Sequence, residues 1–328
     1  MHSRRCIFFA FIFCFVVTSS LSAHHTSSTP SAKAVDFNEI TSGAMINSPT
    51  ASTLGRNQFQ AGFAFEYARY NSIPAGNAHR LHHQGSDVHG KNHEQVYEMS
   101  LGYGVLEDLD FFLAAPIVSK NSIEIHDHAN LGIKERATGF GDLRVLTNYR
   151  FWKKYVEASL VAGIKFLTGM TTAKRKSGDK FAPELQPGTG SWDGQFGLAV
   201  SRSFKKRFSA ATSFEYFLNG EGAQDHKAGD IFRYNIGGSY AIRDLGESPN
   251  LSFILELNNE WALKDHSREE DRVFDSGGTT IFIAPGVNLR LTKKISIFWS
   301  MPVPIYQNLG GEHEERKFEM ITGSSFSF

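Results

Sequence analysis

The sequence predicts an all-β protein: a transmembrane, antiparallel, up-and-down β-barrel of about twelve strands behind an N-terminal signal peptide. Three observations carry this. Segments of roughly ten residues alternate apolar and polar side chains, the two-residue period of a strand. The connections between them alternate long and short, and the even count puts both ends of the barrel on the short-turn side.

Bulk properties narrow the class. With 28 Phe and 30 Gly against 10 Pro, the chain of 328 residues is rich in a strand former and a turn former. Mean hydropathy is −0.27, and past the first residues no apolar run approaches the ~20 residues of a membrane helix, so by that test alone the chain would pass for a soluble protein. A net charge of zero argues against polyanion binding, and no nucleic-acid partner is expected.

Residues 1–23 read as a signal peptide. His2-Ser3-Arg4-Arg5 supplies the positive start, Cys6 to Val17 a short apolar core, and Leu21-Ser22-Ala23 a small-residue cleavage site. Both cysteines, Cys6 and Cys14, lie inside it, which leaves the mature chain no disulfide or thiolate chemistry. Residues 24–56, polar and rich in Ser, Thr and Ala, form a periplasmic segment and a candidate plug, and 57–328 form the barrel.

The strand segments follow in order. Phe59, Ala61, Phe63, Phe65 and Tyr67 share one parity; in "QVYEMSLGYGV" Tyr97, Met99, Leu101, Tyr103 and Val105 do the same. "LDFFLAAPIV" is apolar on both parities and less informative. "GDLRVLTNYRF", "YVEASLVAGIKF", "WDGQFGLAVSR", "FSAATSFEYFL", "FRYNIGGSYAIR" and "LSFILELNNEW" each set aromatic and aliphatic residues against charged or small ones. "IFIAPGVNLRL", "ISIFWSMPVPIY" and the final "KFEMITGSSFSF" complete the set. Between them, long stretches around Ser72 to Asn92, Asn121 to Gly139 and Met170 to Ser191 alternate with tight turns such as "LED", "WKK" and "KKR". A β-sandwich would turn its apolar faces inward and has no reason for such regular loop alternation.

The apolar parity then faces lipid, and the opposite parity faces a lumen. Candidate lumen-lining groups are Glu66, Glu98, Asp142, Arg144, Arg150, Glu157, Lys165, Asp193, Glu215, Arg233, Arg243, Glu256, Glu260, Arg290 and Glu319. Such charges either line a path that selects solutes or pair across a narrow bore and hold it together. The mixed signs favour no ion selectivity.

Histidines cluster in the first two long connections: His79, His82, His83, His89 and His93, then His126 and His128. A His-rich tract is a compositional signal for weak, adaptable binding of Zn, Cu or Ni. The irregular spacing matches no fixed motif, and no resident cofactor is expected. Catalysis is not expected either. There is no G-x-S-x-G stretch, and "GTGSWDGQ" around Ser191 reads as a strand entry.

"YGVLEDLDFFLAAPIV", "GFGDLRVLTNYRF", "PELQPGTGSWDGQFGLAVSRSF" and "APGVNLRLTKKISIFWSMPVPIYQ", together with the Phe-ended last strand, resemble the MetA-pathway phenol-degradation, or transporter-like, family of outer-membrane proteins. The resemblance runs from about Ser48 to Phe328. It implies a bacterial outer-membrane location, a lipid-embedded barrel that moves small solutes, aromatic compounds among them, and no catalytic residues. An aromatic final residue such as Phe328 also resembles the signal that the barrel-assembly machinery reads during insertion.

Overall fold

The computed structural model describes residues 45–71, 88–125, 133–204, 206–267, 273, 276–310 and 315–328. The expected signal peptide, residues 24–44 and the middle of the first two long connections lie outside these.

The strands are β1 (Phe59–Tyr70), β2 (Val88–Leu106), β3 (Leu109–Ile125), β4 (Ile133–Phe140), β5 (Arg144–Lys153), β6 (Glu157–Lys165) and β7 (Asp193–Phe204). They continue with β8 (Phe208–Leu218), β9 (Ile231–Ala241), β10 (Asn250–Ala262), β11 (Gly278–Arg290), β12 (Ile295–Ser300), β13 (Val303–Leu309) and β14 (Arg316–Ser327). Every pairing is antiparallel between neighbours, and β1 pairs with β14, so the sheet closes on itself. Both β4 and β5 pair with β3, and both β12 and β13 pair with β11. The fourteen segments therefore occupy twelve wall positions, because two positions are each split in two. This is a closed antiparallel barrel of the outer-membrane type.

The two splits have local causes. At 141–143 the Asp142 carboxylate turns inward and accepts the Gly169 N–H, the Thr189 N–H and the Thr189 hydroxyl, each at 2.8 Å. That takes the backbone out of the ladder. At 301–302 Pro302 has no N–H to give, and its carbonyl instead accepts the Glu319 N–H at 2.8 Å.

Side-chain exposure follows the alternation. On β2, Met99 and Leu101 are 58% and 62% exposed, whereas their neighbours Glu98 and Ser100 are buried. The uninformative stretch of β3 resolves the same way: Phe111 and Leu113 face outward, Asp110, Phe112 and Ala114 inward. The first two long connections are shorter than expected. Residues 88–92, 121–125 and 133–139, read as loop, are strand, because β2, β3 and β4 run on beyond their apolar stretches as a paired extension. Hydrogen bonding along a ladder does not require the lipid-facing pattern to continue.

The inward face of the short-turn half carries an apolar cluster of Phe112, Ile254, Phe298 and Ile321. Glycine makes room for its rings: a Cβ on Gly102 would stand 2.3 Å from the Phe112 ring, and one on Gly323 2.5 Å from the Phe298 ring. The barrel seam lies at the same rim, where Phe59 and Phe328 exchange both backbone hydrogen bonds at 2.9 Å.

Candidate functional site

The interior of the barrel is the candidate site, and its short-turn half is occupied by the chain itself. Residues 45–55 run across the bore. Glu256 on β10 accepts the backbone N–H groups of Ile46 (2.8 Å) and Asn47 (3.0 Å) and the Ser48 hydroxyl (2.6 Å). The Ala51 N–H donates to Ser201 Oγ on β7 at 2.9 Å, and the Leu54 N–H to Asp110 Oδ2 on β3 at 2.7 Å. The Asn148 amide on β5 donates to the carbonyls of Thr50 (3.3 Å) and Ser52 (2.7 Å). Ile46 and Leu54, near the two ends of the crossing, join the apolar cluster below the charges. The local sequence suits this path. Small hydroxyl and amide residues between two aliphatic anchors satisfy a polar wall that would be costly to bury unpaired.

Beyond the segment, toward the long-loop rim, the inward parity carries paired charge. Arg144 forms a close ion pair with Glu98, and Lys165 sits between Asp193 and Asp142, 3.6 Å from the latter. Arg233 Nε donates to Glu260 at 3.0 Å, and Arg316 bridges Glu260 (2.9 Å) and Glu319 (3.0 Å). Pairing of this kind makes buried charge tolerable, and removing one partner strands the other.

The remaining sequence-predicted groups sit as follows. Glu66 is buried on the inward face, and Glu215 accepts the side-chain amides of Gln195 (2.9 Å) and Asn235 (3.1 Å). Arg150 lies at the short-turn rim, 2.6 Å from Asp108 and 3.6 Å from Glu157. Arg290 is half-buried at the foot of β11. Arg243 departs from the reading. β9 ends at Ala241, so Arg243 falls in an exposed turn, where its backbone N–H bonds Asn250 Oδ1 at 3.0 Å.

Sequence reasoning passed over Lys91, Glu94, Asp110, Lys120 and Arg316, all buried and inward-facing. Lys91 pairs with Glu94 at 3.4 Å. Carrying the two-residue period on from Phe112 and Ala114 would have found Asp110 and Lys120. Lys91 and Arg316 were hidden because their segments read as loop.

Residues 166–192 fold inward over the long-loop half. Phe181 and Leu185 pack with Ala137 of β4, and the Gln186 side chain ties the segment together through Ala173 and Phe181. The buried Lys120 ammonium donates to the carbonyls of Glu184 (3.0 Å) and Gln186 (2.9 Å). Beneath this roof lies a cavity of about 110 Å³, bounded among others by Lys120, Arg144, Leu146, Lys165, Phe217 and Arg233. Ser191 at its edge donates to Asp193 Oδ1 at 2.8 Å, a bond that anchors the entry to β7.

Of the histidines, His79, His82, His83, His126 and His128 lie outside the described residues. His89 and His93 fall within β2 rather than in a loop. The His93 ring stacks on Tyr67, with centroids 5.6 Å apart, and hydrogen-bonds the Asn121 amide. Among the described residues no three His, Cys, Asp or Glu side chains gather as a metal site.

A family described as "Putative MetA-pathway of phenol degradation" matches residues 85–303. No curated protein matches the sequence. Among solved structures, an outer-membrane channel from Pseudomonas putida F1 superposes with a TM-score of 0.62 at 12% identity, over 87% of this chain and 100% of that one. The NanC porin gives 0.45 at 10% identity over 80% and 98% of the two chains. The CymD monoaromatic hydrocarbon channel gives 0.40 at 10% identity over 84% and 88%. At these identities the likeness to the Pseudomonas channel is one of fold.

Proposed function

Because the chain belongs to the family described as "Putative MetA-pathway of phenol degradation", we propose that it is an outer-membrane channel for small solutes, aromatic or hydrophobic compounds among them. One observation carries the reading. A closed wall surrounds an interior of charged and polar side chains, and in the short-turn half the bore is crossed by residues 45–55. A barrel whose only task was anchorage has no need of so many buried charges, each costly to desolvate. The same fold in a protein known as an outer-membrane channel supports the reading.

In this reading residues 45–55 are a plug. Hydrogen bonds and two aliphatic anchors hold them, and such bonds can be exchanged for bonds to water or solute. The paired charges then serve as a polar lining with little net field, suited to neutral or amphipathic solutes more than to bulk ions. No chemistry on the solute is part of this role, and Ser191, committed to Asp193, acts structurally.

The test is reconstitution. Protein in planar bilayers and in vesicles loaded with small aromatic solutes should pass ions and solute, and more of both once residues 24–56 are removed. Absence of conductance and flux in both forms would defeat the proposal.

A further inference from the structure

We propose that the cavity beneath residues 166–192 binds a small aromatic carboxylate, one ring bearing one acid group. This deepens the channel reading and rests on it for the route by which the ligand arrives.

The lining is bipolar. Leu146, Ile231 and Phe217 supply apolar surface, while Lys120, Arg144, Lys165 and Arg233 supply positive charge against Glu184 and Asp193. Some of that charge is spent: Arg144 is paired with Glu98, and Lys165 with Asp193 and Asp142. Two cations keep capacity in reserve. Arg233 uses only Nε, toward Glu260, so among the described residues its two Nη groups make no hydrogen bond. Lys120 gives two of its three N–H groups to backbone carbonyls and has no carboxylate at ion-pair distance among the described residues.

A carboxylate is the complement of that reserve. The fork of two Nη groups matches its two oxygens, and a neutral hydroxyl can use only part of it. The Arg233 guanidinium carbon lies over the Phe217 ring, 4.5 Å from its centroid, which sets an aromatic group beside the anion-binding fork. A ring attached to the carboxylate then rests on Phe217 and Leu146. The cavity, at about 110 Å³, is smaller than the apolar cavity of about 150 Å³ that takes benzene, so one ring is the most it holds.

The experiment is calorimetric titration of the full chain in detergent with benzoate and with benzyl alcohol, its neutral counterpart, with KCl conductance measured on the same preparations. Benzoate is expected to bind at least about ten-fold more tightly, and Arg233→Gln to abolish that preference. Because Arg233 also pairs with Glu260, two further variants guard against misfolding. Arg233→Gln with Glu260→Gln removes the pair together, leaves Arg316 its bond to Glu319, and should also lose the preference. Phe217→Ala leaves every charge in place and should weaken benzoate binding several-fold. Equal affinities for the two ligands, or a preference that survives both arginine variants, would overturn the site. If that happens while conductance persists, the channel reading stands alone; benzoate binding without any conductance would sink the channel reading and keep the site.

Discussion

Glu256 grips Ile46: its carboxylate accepts the Ile46 N–H at 2.8 Å across 210 residues of sequence, and accepts the Asn47 N–H and Ser48 hydroxyl beside it. One side chain on β10 thus holds the start of the segment that crosses the bore.

Hydrogen bonds to a charged group contribute about 1.5–3 kcal/mol each. Glu256→Ala removes these bonds together with the one from the Asn47 side-chain amide (3.0 Å) and should free residues 45–49, raising single-channel conductance, while Glu256→Gln should give a smaller rise. Identical conductance in wild type and Glu256→Ala would show that the segment is not the obstruction.

Arg316 is the hub of the interior charge network, with Glu260 at 2.9 Å and Glu319 at 3.0 Å. Arg316→Met leaves both carboxylates without it, and a loss of about 3–5 kcal/mol is expected. Urea unfolding of the protein in lipid vesicles reads this directly. An unchanged midpoint would mean that the network contributes no net stability.

Leu255 stands on the outer face of β10, 53% exposed in the absence of lipid. Leu255→Arg should cost about 2–4 kcal/mol in a bilayer if that face meets the hydrocarbon midplane. The same vesicle unfolding assay tests it, and a neutral outcome would place Leu255 outside the hydrophobic band.

The Phe59 and Phe328 rings stack at the seam, 6.1 Å between centroids and 8° between planes. Such a pair contributes about 0.5–1.5 kcal/mol beyond its buried area. A double-mutant cycle with Phe59→Ala and Phe328→Ala should return a coupling energy in that range. Full additivity would show that the backbone bonds alone close the seam.

Much of the wall was legible because each strand repeats one local rule. Met99 and Leu101 against Glu98 and Ser100 announce a face for lipid and a face for the interior, with no knowledge of any neighbour. The rule failed where its local signal stopped. Arg243 lies past the end of β9, and there the period that assigned it no longer applies. Lys91 and Arg316 are inward-facing strand residues in stretches that look like loop.

By itself, then, the sequence determined the class of protein: alternation, loop asymmetry and an even count each follow from backbone geometry and a lipid solvent. Which charge meets which across the bore was decided by the tertiary structure, because register and closure bring Arg316 to Glu260 and Lys165 to Asp193. The same holds for residues 45–55. Their Asn, Ser, Thr and Ala read as part of a polar periplasmic segment and candidate plug, but only a closed barrel with Glu256, Asn148 and Asp110 turned inward gives those backbone amides and carbonyls somewhere to bond.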